Sequence, residues 1–413
     1  MGLLPITVAF FGGGEAPLPS YNPAFSGSLG TGVYSGGAVR VYTMWGDDDG
    51  GIWVGGDATG YDNVSADSVF KINNDGTLGT ICNTTSQNVR ALYVDSDNVY
   101  VGYSSAPYFE VFDKTSGTLQ TGWPSFDSDV RDIKGLSNGN IVVAGKFTLP
   151  HQNFTAINPN TKTLPSGFQT HTFTIVTPYA NEPRTLLVDS DDKILLGGPF
   201  TQVDSIYNVN SGFRMNSDGG IDYSFTPTEL YRAGVGGGPY IGYKEVSYNG
   251  TKQYLAYGAF FSAWDGSGYS DNYNIALLDD NGALASTWNR QTAEVGVTAN
   301  AICVNNDTGH FYLQYGGTNQ TDFRGVPSPS NLDRTILKFA LTNDYVGDGN
   351  WMTNNVTTAH DPIYCMFSQE EWGAAPGSPI LIGGNQLFTT YNTVFGIGSI
   401  AAIEPGNGSL LTR

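Results

Sequence analysis

Residues 189–200 read DSDDKILLGGPF: a polar turn, the apolar run Ile194, Leu195 and Leu196, then Gly197, Gly198 and Phe200. A glycine pair behind an apolar run belongs either to a phosphate-cradling loop or to one copy of a repeated module. A phosphate site of the dinucleotide or P-loop kind needs a helix directly after its glycines, because the backbone N–H groups of the helix start hold the anion. No helical pattern follows Gly198, and the stretch has relatives along the chain.

The same pattern recurs as IWVGG (52–56), VYVG (99–102), IVVAG (141–145), YLAYG (254–258), FYLQYGG (311–317) and ILIGG (380–384), which with the opening copy makes seven. Each is preceded by a short apolar strand and a polar turn, most clearly in VRALYVDSDN (89–98) and PRTLLVDSDD (183–192). Each is followed by a further strand. In VFKINNDGTL (69–78), FEVFDKTSGTL (109–119), FRMNSDGGI (213–221) and IALLDDNGAL (275–284) that strand ends in a turn bearing Gly. Asp-Gly and Asn-Gly suit such turns because they tolerate positive φ. A fourth element is marked by an aromatic four residues beyond the turn's apolar residue: Leu119 leads to Trp123, Leu164 to Phe168, Ile221 to Phe225 and Leu284 to Trp288, while Cys82 follows Leu78.

Four antiparallel strands recurring about every 40 to 65 residues is the sequence signature of a propeller blade. The expected fold is all-β: a seven-bladed β-propeller over residues 37–413 with four-stranded antiparallel blades, preceded by an N-terminal arm over residues 1–36. Composition agrees. The chain has 54 Gly, 24 Tyr and 22 Phe with only 14% charged residues, a mixture that favours strands and tight turns over helices.

The fourth copy carries Asp192, Lys193, Ile194, Gly197, Gly198, Phe200 and Thr201, then Arg214, Asp218, Gly219, Asp222 and Phe225. In these residues it resembles the delta-sixty-repeat propellers, and the other copies match in part. That resemblance implies a scaffold rather than a reaction.

The seventh unit stops early. Leu410 takes the place of Leu119 and Leu284, yet the sequence ends at Arg413. Near the other end Tyr21, Asn22, Pro23 and Phe25 follow Ser20 much as Phe225, Thr226 and Pro227 follow Ser224, and Tyr21 precedes Arg40 by the 19 residues that separate Phe225 from Lys244. Residues 18–28 are therefore expected to complete the last blade beside Leu410, since an open ring would leave strand edges exposed. Residues 1–17, apolar from Leu3 to Phe11, are surplus to the ring. They are expected to pack back on the domain or into a neighbouring subunit. They lack the basic residues of a secretion signal, and no stretch is long enough to cross a bilayer as a helix.

Among chemical motifs, residues 135–139 (GLSNG) fit the G-x-S-x-G elbow, but strands rather than a strand and a helix flank it, so a hairpin turn is expected. The acidic turns at Asp47, Asp48 and Asp49 and at 189–192 offer oxygen ligands for calcium, without the distal Glu of a regular loop. Asp is also a common turn former. Cys82, Cys303 and Cys365 are too few and too scattered for a disulfide framework, and are expected to be buried small hydrophobes. Arg40, Arg90, Arg131, Arg184 and Lys244 recur on the first strand of five consecutive units. Propeller first strands usually line the axis, so they are candidates for an axial basic ring. The ring would either anchor neighbouring blades through arginine's five donors or bind an anionic ligand or acidic partner.

A formal net charge of −19 argues against nucleic acid as a partner. The expected role is a structural or interaction propeller, without cofactor, metal or enzymatic activity. Its Gly-, Asn- and Tyr-rich, Lys-poor composition looks similar to that of bacteriophage structural proteins. The expected setting is thus a virion, in the tail or fibre region, in assembly or host attachment. Other virion proteins would bind through residues 1–17 and the blade loops, and a host-surface glycan is a further candidate ligand. The alternative is a bacterial secreted or surface glycan-binding propeller. A propeller hydrolase comes third, since it needs paired carboxylates converging at the channel mouth.

Overall fold

The computed structural model describes residues 33–34, 39–86, 88–174, 182–200, 202–205, 207–209, 212–228, 230–231, 241–248, 250–258, 262–264, 269–271, 275–285, 298–306, 309–316, 322–323, 326–327, 334–340, 363–369, 378–384, 390–391, 394–395, 400–403 and 405. The closing piece expected from Tyr21, Pro23, Phe25 and Leu410, and the arm at 1–17, lie outside the described residues. So do Trp288 and Thr201.

The glycine-bearing copies are the middle strands of their sheets. Ile52–Gly56, Ile141–Gly145 and Ile380–Gly384 are buried at every position. A strand covered on both faces has no use for alternating polar residues, so its sequence reads as a continuous apolar run. Ile194–Gly197 pairs with Thr185–Val188 on one side (Val188 opposite Ile194) and with Gly212–Met215 on the other (Met215 opposite Ile194). The same antiparallel order holds for Val41–Gly46, Ile52–Gly56 and Val69–Ile72; Val89–Val94, Asn98–Tyr103 and Phe109–Asp113; and Val130–Gly135, Ile141–Gly145 and Phe154–Ile157. It continues in Ile241–Tyr248, Thr251–Gly258 and Ile275–Asp279; Thr298–Asn305, His310–Gly316 and Arg334–Ala340; and Ile363–Ser368, Ile380–Gly384 and Ile400–Ile403. These are called sheets one to seven in chain order, Thr185–Val188 opening sheet four.

The fourth element is a full strand in sheet one, Leu78–Cys82. Among the described residues of sheets two to five it is a single antiparallel bridge: Phe112 with Leu119, Asn158 with Thr163, Met215 with Ile221 and Leu278 with Leu284. In sheets two to four the aromatic beyond the bridge packs against a buried ring. Trp123 meets the Tyr100 ring at 5.5 Å, Phe168 meets Phe154 at 5.9 Å and Phe225 meets Tyr254 at 6.0 Å.

First strands of consecutive sheets touch one another from sheet one through sheet seven, and Ile363–Ser368 also touches Val41–Gly46. Apolar clusters fill the spaces between neighbours. Tyr100, Val111, Ile133 and Val143 join sheets two and three, and Leu255, Leu277, Ile302 and Leu313 join five and six. One cluster holds Val41, Val54, Leu92 and Val101 of the first two sheets together with Phe367, Leu381 and Ile400 of sheet seven. Successive antiparallel sheets packed face to face, with their first strands side by side, form a β-propeller fold. Among the described residues there is no α-helix.

Small hairpins inserted between second and third strands add a layer that the repeat pattern does not announce. Gly60–Tyr61 and Val64–Ser65 pair with Val33–Tyr34, Gln202–Val203 and Tyr207–Asn208 with Phe173–Thr174, and Ser262–Trp264 and Tyr269–Asp271 with Leu230–Tyr231. Each uses a strand from just before its own sheet's first strand.

Candidate functional site

The second-strand glycines are explained by close backbone approach. A Cβ at Gly56 would collide with the carbonyl oxygen of Arg40, one at Gly145 with that of Asp129, and one at Gly198 would lie 2.6 Å from that of Glu182. Arg40, Asp129 and Glu182 thus take equivalent places at the head of the first strand, as does Asn88, whose carbonyl accepts from Ser104 as that of Arg40 accepts from Asp57. Immediately inside, the first strand bulges. The register skips Tyr42 in sheet one, Arg90 in two, Arg131 in three, Asn300 in six and Tyr364 in seven. An unpaired bulge residue re-aims its side chain, which is why bulges recur near functional sites.

This register divides the five cations expected at one shared position. Arg90, Arg131 and Arg184 are equivalent, each two residues beyond the strand head. Arg40 is itself a head residue, two positions earlier, and its counterpart at the bulge is Tyr42. Lys244 lies deeper, opposite Leu255, where sheet one has Trp45 opposite Trp53 and sheet three has Lys134 opposite Val142. Sheets one and two carry the same bulge, and Arg40 simply stands 16 residues before Gly56, at the head. In sheet five the register runs unbroken from Ile241 to Tyr248, so no residue bulges there and Lys244 falls deeper in the strand. Spacing to the glycine that follows puts Tyr42, 14 residues before Gly56, with Arg131 and Arg184, 14 before Gly145 and Gly198. Tyr364, 20 before Gly384, and Lys244, 14 before Gly258, are placed correctly only by the register.

The cations also carry counter-charges that the sequence reading missed. Arg131 pairs with Asp129 at 2.7 Å and with the buried Glu182 at 3.5 Å, and Arg184 reaches the same Glu182 oxygen at 3.4 Å. Arg40 faces Asp57 at 3.8 Å and donates from Nη1 to the Tyr42 hydroxyl at 3.2 Å. Arg90 differs. Its guanidinium lies 3.8 Å over the Tyr42 ring and its Nε donates to Ser104 Oγ at 3.3 Å. The Tyr42 ring in turn meets Tyr364 of sheet seven with centroids 4.8 Å apart and planes at 45°. Tyr364, Tyr42 and Arg90 therefore form a continuous half-buried ledge across three first strands.

The opposite ends of the first strands, where the acidic turns lie, are pinned. Asp47 is 2% exposed and receives Lys71 at 2.6 Å and Lys114 of the next sheet at 2.6 Å, with the Trp53 indole N–H at 3.1 Å. Burial by itself would raise the Asp47 carboxyl, but the hydrogen bonds from Lys114 and Lys71 outweigh it and hold the group below the usual carboxylate range. Asp47, Asp48 and Asp49 do bring oxygens within 4.8 Å of one another; the positive charge between them is supplied by the two lysines. The turn at 189–192 is built alike: Asp189 receives Lys252 at 3.1 Å and the Tyr254 hydroxyl at 2.6 Å, both from sheet five.

Neighbouring turns continue the pattern. Ser137, inside the G-x-S-x-G match, bonds through its N–H and hydroxyl to Asp192. Ser190 does the same to Glu245, at 2.7 and 2.6 Å, and the Ser247 N–H donates to Asn306 at 3.0 Å. The 135–139 match is a hairpin turn, with Gly139 at φ 82°. Arg214 of the repeat-like fourth copy is a buried hub, donating to Asp222 (3.0 Å), Ser224 (3.2 Å), Tyr254 (3.1 Å) and Asp280 (2.9 Å). Although burial opposes it, the Ser224 hydrogen bonds with Arg214 and Lys193 lower the Asp222 carboxyl to about 2. Cys82 and Cys303 are buried and Cys365 half-buried, all as free thiols.

No family model and no curated protein matches the sequence. Among solved structures, the chain is similar to the extracellular domain of a putative one component system from B. thetaiotaomicron, with TM-score 0.53 and 12% identity, over 90% of this chain and 39% of that one. It thus spans about two fifths of that chain's length. It is also similar to the C-terminal WD40 domain of Sif2 (TM-score 0.49, 12% identity, 89% and 82% covered) and to U3-55K (0.48, 10%, 92% and 96%). At such identities the likeness is one of fold alone.

Proposed function

We propose that the chain is a closed seven-bladed propeller acting as a non-enzymatic interaction module. One observation carries the closure. Gly383 of sheet seven packs against Val41 of sheet one, as Gly55 packs against Val89 and Gly102 against Val130 at the two following junctions. The last interface thus repeats the internal ones. The buried charged groups Asp47, Asp189 and Arg214 support a scaffold role, because each holds one sheet to the next.

The setting we favour is a bacteriophage virion, in the tail or fibre region, where a rigid acidic ring serves assembly or host attachment. Its support is compositional: a net charge of −19 with 54 Gly and 24 Tyr. Mass spectrometry of particles purified from the source tests it. The account expects the chain in fixed stoichiometry with other particle proteins, and its absence from intact particles refutes the setting. The second reading, a secreted or surface glycan-binding propeller, is favoured by the aromatic and arginine ledge at Tyr364, Tyr42 and Arg90.

A further inference from the structure

We propose that this ledge is a binding site for a carboxylated sugar, with the Arg90 fork taking the carboxylate and the Tyr364 ring the C–H face of the pyranose. The inference rests on the interaction-module reading and deepens it by naming the chemistry of the ligand.

Charge singles out Arg90. Arg131 and Arg184 share Glu182, Arg131 has Asp129 as well, and Arg40 has Asp57. Among the described residues no carboxylate lies within ion-pair distance of Arg90, and its Nη1 and Nη2 find no protein acceptor. Stacking on Tyr42 at 3.8 Å and the Nε bond to Ser104 fix the guanidinium plane while leaving its outer edge free. That edge presents two parallel N–H donors, the geometry that binds a carboxylate bidentately. Because the plane is already held, binding costs little side-chain entropy.

The ligand's charge follows from the surroundings. A single uncompensated cation matches one negative charge better than the nearly two of a phosphate monoester. Asp129 and Glu182 would repel an anion displaced towards sheets three and four. On the other side stand Tyr42 and Tyr364, both half-buried and with their rings in contact. One fixed fork beside aromatic surface suits a ring that carries both a carboxylate and an apolar C–H face.

The test is isothermal titration of the full chain with sialyl-lactose and with digalacturonate, against lactose and methyl-esterified digalacturonate as uncharged controls. At least one acidic probe should bind saturably and its uncharged partner should not. Arg90→Gln should weaken binding by about tenfold or more, the scale expected for a lost charge-assisted pair, and Arg90→Lys should recover only part of it. Melting curves report whether each variant is folded; if Arg90→Gln is not, Tyr364→Ala and the methyl-ester comparison decide. Absence of binding to both acidic probes, equal binding of the uncharged controls, or unchanged affinity in folded Arg90→Gln overturns the proposal. Particle proteomics is independent of this outcome, so failure of the ligand assignment and failure of the virion setting are told apart.

Discussion

Replacing Asp47 with Asn removes one buried charge and leaves two lysines facing each other. The carboxylate accepts two charge-assisted bonds at 2.6 Å, from Lys71 within its own sheet and from Lys114 of the next. Each such bond is worth about 1.5–3 kcal/mol, and breaking a fully buried pair about 3–5 kcal/mol. Two facts reduce this. The lysines are 11% and 15% exposed, and each keeps a second carboxylate, Asp49 at 2.5 Å and Asp48 at 3.5 Å. The amide oxygen can still accept one donor, so a net loss of about 2–3 kcal/mol is expected. With about 2.1 cal/mol/K of unfolding entropy per residue, 413 residues lose about 1 °C of melting temperature per kcal/mol, and the variant should melt about 2–3 °C lower. Calorimetry of Asp47→Asn, Lys114→Met and the double variant closes a cycle whose coupling should be about 1–2 kcal/mol. Strictly additive effects would refute the view that this turn pins sheet one to sheet two.

Gly145→Ala places a Cβ against the Asp129 carbonyl, which should destabilise the fold by about 2 kcal/mol or more and shift the melting curve accordingly; Gly139→Ala, in an open turn, tests strain from positive φ without collision. The lowered Asp222 carboxyl stabilises the fold where it is ionised: its contribution is complete above the ordinary value of 3.8 and is lost as pH falls towards about 2. Melting temperature followed from pH 5 to pH 2 should therefore fall less steeply in Asp222→Asn than in the wild type, and parallel curves would contradict the assignment.

The repeat was legible because a buried middle strand leaves its sequence no choice but apolar residues and glycine, and ILLGG shows this in five letters. The hairpin turns were legible through Asp-Gly and Asn-Gly. What the sequence hid is what the third dimension adds. The first strand of sheet five runs without the bulge, which sets Lys244 deeper than Arg90, and only the register with the glycine strand puts Tyr364 in the arginines' place. Asp129 and Glu182 each stand two residues before the arginine they face, a spacing the sequence does show; what it hid is that Glu182 also reaches Arg131 of the preceding sheet. The acidic turns looked like ligands for a cation; Lys71 and Lys252 reach them from other strands, and Lys114 from the turn after Phe109–Asp113. The inserted hairpins, such as Val64–Ser65, are too short for a period-two pattern to emerge.

An experimental structure of the full chain, by crystallography or electron microscopy at a resolution that separates strands, tests the central claim most directly. The account predicts seven sheets around one axis, with Gly383 against Val41 and the rings of Tyr42 and Tyr364 in contact across the closing junction. An open arc, a different number of sheets around the axis, or a solvent-filled gap between the first and seventh sheets would contradict it.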